Sequence, residues 1–81
     1  MAIEALDAQI SQTSDELIVL RHIDDDAQRD ALVSDRYEDR ADAKMTRSDV
    51  IRMEKQMQNM EQDRSRLVTK RDRLIARLAA R

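Results

Sequence analysis

Residues 50–78 read VIRMEKQMQNMEQDRSRLVTKRDRLIARL. Nine positions in this stretch recur at alternating intervals of three and four residues, and seven of the nine are apolar. They are Val50, Met53, Met57, Met60, Arg64, Leu67, Arg71, Leu74 and Leu78. A helix with this heptad spacing packs along its length against another helix. The stretch therefore predicts a helix over about residues 47–80, and Thr46 with Asp49 resembles a capping box at its start.

The N-terminal segment has the same heptad spacing. Six positions follow it, and five of them are apolar: Ile3, Leu6, Ile10, Thr13, Leu17 and Leu20. Ile18, Val19 and Ile23 add apolar surface beside this row, so more than one neighbour is expected to pack against the helix. We predict a helix over about residues 2–23.

The region between these two helices, residues 24–46, is less regular. Asp25 and Gln28 resemble the start of a helix, although both residues could equally lie inside a continuous one. Apolar residues then follow at intervals of mostly four, closer to a hendecad than to a heptad. We predict a helical segment over about residues 25–43 and a turn within residues 42–46. Because the chain contains no glycine or proline, the sequence leaves both breaks open.

The composition favours a single all-α domain over residues 1–81. Charged residues make up 40% of the chain, glycine, proline, cysteine, tryptophan and phenylalanine are absent, and Tyr37 is the one aromatic residue. Sheets depend on tight turns rich in glycine, proline and asparagine, so a β or α/β fold is not expected. The absence of cysteine also excludes disulfides and thiolate metal sites.

Charge predicts how the helices are oriented. Residues 1–43 carry twelve acids and four bases, a net charge of −8, whereas residues 44–81 carry five acids and eleven bases, a net charge of +6. Oppositely charged halves attract when they lie side by side, and a parallel dimer would bring like charges together. We therefore predict a long antiparallel helical hairpin or coiled coil of two long helices, or three. Folding near residue 41 would place Leu17 and Leu20 beside residues 60–68.

A hairpin leaves apolar surface uncovered at Ile18, Val19, Ile23, Val68 and Ile75. Two hairpins that dimerise into a four-helix bundle would cover this surface. The expected partners are a second copy of the chain and another protein, which a methionine-rich seam could accommodate.

The sequence gives no reason to expect a membrane partner. The longest aliphatic run has four residues, far fewer than the roughly 20 that cross a bilayer, and the N-terminus does not resemble a signal peptide. The predicted location is the cytoplasm.

Catalytic, metal and cofactor sites are not expected. His22 is the only histidine, and no second histidine or cysteine could complete a metal shell with it. The chain has no glycine for a phosphate-binding loop and no partner set for a nucleophile. A helical enzyme with an arginine-lined pocket is the third-ranked hypothesis, and no small-molecule substrate is expected.

The sequence favours a non-enzymatic helical interaction protein that oligomerises and has a structural, adaptor or assembly role. The residues expected to form its helix-packing seam are Ile3, Leu6, Ile10, Leu17, Leu20, Val50, Met53, Met57, Met60, Leu67, Leu74 and Leu78. The alternative is a nucleic-acid-associated protein, in which Arg66, Lys70, Arg73 and Arg77 form a surface for anionic ligands.

Overall fold

The computed structural model describes residues 2–80 and contains two helices. Helix α1 spans Ala2–Val33 and helix α2 spans Tyr37–Ala79. The two helices pack against each other in opposite directions and form a rod whose Cα atoms extend over 70 × 14 × 13 Å. The predicted all-α antiparallel hairpin is confirmed, with two helices rather than three.

The break between the helices lies at residues 34–36, at neither of the two positions that the sequence left open. Helix α1 continues through Asp24 to Val33, and α2 begins at Tyr37, ten residues before the predicted start. Thr46 and Asp49 therefore lie inside α2 and cap no helix.

The reason is that the heptad rows continue through the irregular region on polar and small side chains. All of the following are buried or half-buried at heptad spacing: Asp24, Ala27 and Ala31 in α1, and Asp39, Ala43 and Thr46 in α2. Since the contact between the helices persists here, both helices persist with it.

The turn consists of Ser34, Asp35 and Arg36, without glycine or proline. The Ser34 hydroxyl accepts a hydrogen bond from the Arg36 backbone N–H at 3.0 Å, and Arg36 has an extended backbone with φ −80° and ψ 133°. Serine and aspartate favour turns because their side chains bond to nearby backbone groups. Glu38, in the first turn of α2, lies where a negative charge stabilises the helix dipole.

The core is a single row of side chains between the helices. Leu17, Ala43 and Val50 are the buried apolar residues, each 4–5% exposed. Eight further predicted seam residues are half-buried: Ile3, Leu6, Ile10, Leu20, Met53, Met57, Met60 and Leu67. The predicted register is shifted, because the chain turns at residues 34–36 rather than near 41. Leu17 consequently lines a groove with Ile51 and Met57 instead of lying beside residues 60–68.

Helix α2 extends past the end of α1. Asp7 pairs with Arg64, so in antiparallel helices with the same rise per residue Ala2 lies level with Thr69. All residues from Thr69 to Ala80 are exposed. We call residues 71–79 the overhang. Leu74 and Leu78, both predicted seam residues, lie in it, and they are 49% and 68% exposed.

Candidate functional site

Much of the apolar surface of this hairpin faces outward. Eleven large hydrophobic residues among the described ones are exposed, and they form three groups along the rod. Near the turn these are Leu32, Val33, Tyr37 and Met45; in the middle, Ile18, Val19, Ile23 and Ile51; in the overhang, Leu74, Ile75 and Leu78. Isolated surface hydrophobics are ordinary, but groups of them mark interaction surfaces.

The middle group lies outside the seam. Val19 and Ile23 are four residues apart and therefore share one face of α1, next to its row of seam residues. Across the rod, Ile51 borders a groove whose floor includes Leu17 and Met57. This part of the hairpin is apolar on α1 and on α2 at the level where the core is best buried.

A polar cluster around Asp24 connects the two helices near the turn. Asp24 is 3% exposed, and its Oδ1 accepts hydrogen bonds from Gln28 Nε2 at 3.0 Å and from Thr46 Oγ1 at 2.9 Å. Its Oδ2 lies 3.3 Å from Nε of Arg47. Gln28 also donates to the Ala43 carbonyl across the helices at 2.7 Å. Among residues 2–80, every buried side-chain nitrogen and oxygen has a hydrogen-bond partner.

The cluster stabilises the ionised form of Asp24. The hydrogen bond from Gln28 lowers the pKa of the Asp24 carboxyl below its ordinary value, and the Thr46 hydrogen bond and the Arg47 charge act in the same direction. Burial opposes them by disfavouring the charged form. A charged residue at a seam position restricts which register and partner helix the seam accepts, because any other arrangement leaves the charge without its partners.

A second polar contact crosses the hairpin near the N-terminus of α1. The Arg64 guanidinium donates to both carboxylate oxygens of Asp7, with Nη2 of Arg64 and Oδ2 of Asp7 3.4 Å apart. The hydrogen bond from Arg64 lowers the pKa of Asp7, and the same contact raises the pKa of Arg64. The seam residue Arg64 therefore faces an acid of α1. Farther along the rod, Arg21 and Glu54 approach to 4.0 Å.

The predicted surface for anionic ligands is one face of the C-terminal half of α2. Arg66, Lys70, Arg73 and Arg77 line one open groove together with Ser65, Thr69 and Leu74. Arg66 is partly neutralised by Asp63, at 3.7 Å. The structure thus brings the four predicted basic residues together, at helical intervals of four, three and four.

Comparison with known proteins adds nothing to this geometry. No protein-family model, curated protein or solved structure matches the chain. The function of the hairpin is therefore argued from the apolar groups, the polar seam contacts and the basic face.

Two further properties concern metal and membrane binding. His22 is exposed, and within the described part of the chain no three histidine, aspartate or glutamate side chains are placed to hold a metal ion together. Neither α1 nor α2 contains an apolar stretch long enough to cross a membrane.

The Asp24 cluster was not predicted from the sequence. A run of three aspartates normally indicates a solvated surface, and two of them, Asp25 and Asp26, are indeed exposed. The indication that sets Asp24 apart is its spacing. It lies four residues after Leu20 in the heptad row, at a position that faces the partner helix.

Proposed function

We propose that this chain is a non-enzymatic helical interaction protein that self-associates and binds another protein, in a structural, adaptor or assembly role. The hairpin would be the folding unit, and its outward apolar groups would be the binding surfaces. As the sequence predicts, we place the protein in the cytoplasm.

The observation that carries this proposal is the imbalance between buried and exposed apolar residues. Three apolar residues are buried, whereas eleven large ones are exposed among the residues described. A rod two helices thick has no interior beyond its single seam. Packing a second hairpin against the α1 face of the middle group would remove Val19 and Ile23 from water, at about 25 cal/mol per Å² of apolar surface buried.

Self-association predicts a mass at least twice 9.5 kDa, the mass of one chain, at micromolar concentration. Sedimentation equilibrium or light scattering measures this mass directly. Replacing Val19 and Ile23 by glutamine in one variant should shift the equilibrium strongly towards the single chain, because both side chains leave the proposed interface. The helical circular dichroism of the variant should remain, since neither residue belongs to the seam.

The matched control replaces Asp15 and His22 by glutamine, which changes two exposed residues on the side of α1 opposite the seam. This variant should keep the mass of the wild type. A wild-type protein that sediments as a helical 9.5 kDa species would rule out self-association and leave the hairpin intact.

The basic face of α2 supports a second candidate function, binding to nucleic acid. Four cationic side chains along one face could follow a row of phosphates. Against this, the sequence pI is about 5.3, and Tyr37, the only aromatic side chain available for base stacking, lies near the opposite end of the rod.

We expect at most weak, salt-sensitive binding of the wild type to labelled duplex DNA or single-stranded RNA. Non-specific binding of this kind has dissociation constants of about 1–100 μM at physiological salt. Fluorescence anisotropy at several salt concentrations checks this. Nanomolar binding that weakens when Arg66, Lys70, Arg73 and Arg77 are changed to glutamine would favour the nucleic-acid function instead.

A further inference from the structure

Within residues 2–80, no helix lies opposite the far part of the overhang. The overhang residues Leu74 and Leu78 continue the heptad row of α2, and in the described part of the chain only the first turn of α1, residues 2–4, borders the groove that they line. The open seam is about 15 Å long, at ~1.5 Å per residue, which is room for roughly two turns or more of another helix. An apolar groove at this place is lined by Ile3 and Leu67 at its closed end and by Leu74, Ile75 and Leu78 beyond.

Arg71 indicates what kind of residue would fit opposite the overhang. Arg64 occupies the equivalent heptad position seven residues earlier, and there α1 supplies Asp7 to receive its guanidinium. Among the described residues, Arg71 instead contacts Asp72 of its own helix, with Nη2 of Arg71 and Oδ1 of Asp72 3.2 Å apart. The same seam position thus forms an ion pair across the hairpin in one heptad, whereas in the next, within residues 2–80, Arg71 forms none, although Glu4 of α1 lines the same groove.

The charges around the open seam favour a partner of opposite charge. Residues 70–79 contain four bases, Lys70, Arg71, Arg73 and Arg77, and one acid, Asp72. Two overhangs that packed against each other would bring these like charges together, which disfavours a symmetric contact between two copies. The helix that does pack on α2, α1, carries eight acids and two bases. The overhang therefore has the surface that fits a second acidic amphipathic helix.

We propose that the overhang is a docking site for an acidic amphipathic helix of another protein. The partner helix continues the line of α1, its apolar residues contact Leu74, Ile75 and Leu78, and one of its carboxylates receives Arg71 as Asp7 receives Arg64. This mode of binding is a helix seated in an apolar groove with charged flanks. The inference depends on the proposed function only in that the chain acts by binding a protein.

The test uses the full chain and two synthetic helices of about three heptads, long enough to fold on contact. Both peptides carry leucine at the two seam positions of each heptad. One peptide has glutamate at the flanking positions, and the other has lysine there. Fluorescence anisotropy is measured below the concentration at which each peptide self-associates. The wild type should bind the glutamate peptide at least about tenfold more tightly than the lysine peptide, and added salt should reduce the difference.

Two leucine-to-aspartate variants, compared with each other, locate the site. Leu78→Asp should weaken binding of the glutamate peptide by about tenfold or more, since a buried leucine is replaced by a repelled acid. Leu32→Asp changes a leucine at the other end of the rod, 85% exposed against 68% for Leu78, and should leave binding of the peptide at the overhang unchanged. The double variant Arg71→Glu with Arg77→Glu should reverse the preference and bind the lysine peptide more tightly.

Equal binding of the two peptides, or equal losses in Leu78→Asp and Leu32→Asp, would overturn the proposal. Displacement of the peptide by single-stranded RNA, with RNA binding unaffected by Leu78→Asp, would assign the surface to nucleic acid. If Leu78→Asp lowers the mass of the protein and the peptide does not bind, the occupant is a second copy. A monomeric wild type that still prefers the glutamate peptide would reject self-association and keep the docking site.

Discussion

Replacing Val50 by aspartate is expected to remove most of the stability of the hairpin. Val50 is 4% exposed and lies in the seam of α2, close to the middle of the rod, so the new carboxylate would be buried there without a partner. This costs about 3 kcal/mol or more. A chain of this size has a total stability of about 4 kcal/mol at ~0.05 kcal/mol per residue, so the substitution should remove about three quarters of it or more and lower the urea midpoint steeply.

Its neighbour Ile51 provides the matched control. Ile51→Asp introduces the same charge on the same turn of helix, but Ile51 is 59% exposed and its carboxylate would remain hydrated. Far-ultraviolet circular dichroism with urea titration, at low protein concentration, compares the two. Equal loss of stability in both variants would mean that the seam is not where the structure places it.

The second large effect is expected at Asp24. Asp24→Asn keeps the shape and one acceptor oxygen but removes the charge that faces Arg47. The variant should be less stable than the wild type at pH 7. The loss should exceed that of Asp7→Asn, because the Asp24 side chain is 4% exposed and that of Asp7 is 48% exposed.

The Asp24 effect should depend on pH. The pKa of Asp24 is lowered in the folded protein, so the carboxylate stabilises the fold at pH values above its unfolded pKa of about 3.9. That stabilisation is lost as the pH falls through the lower folded-state pKa. Urea titrations of wild type and Asp24→Asn should therefore converge as the pH is reduced below about 4.

The control for this pH dependence is Asp25→Asn, which neutralises an exposed acid next in sequence. It should leave the stability at pH 7 nearly unchanged. A constant difference between wild type and Asp24→Asn from pH 7 to pH 2 would show that the charge of Asp24 does not stabilise the hairpin.

The helical fold and its orientation follow from local properties of the sequence. Heptad spacing from Ile3 to Leu20 and from Val50 to Leu67 specifies two apolar helix faces. The hydrophobic effect favours packing of these faces against each other, whichever loop connects the helices. The opposite charges of the two halves disfavour a parallel arrangement, because Coulomb interactions act over several residues and need no exact register. These predictions required no knowledge of individual contacts.

The position of the turn and the burial of Asp24 were decided by the tertiary structure. Both depend on which residue of α1 meets which residue of α2, and polar residues such as Asp24 and Thr46 enter a seam only when they can bond to each other across it. The overhang has the same origin. With the turn at residues 34–36, the described part of α1 leaves Leu74 and Leu78 exposed. The spacing of a single helix determines which face is buried, but only the pairing of two helices determines how far that burial extends.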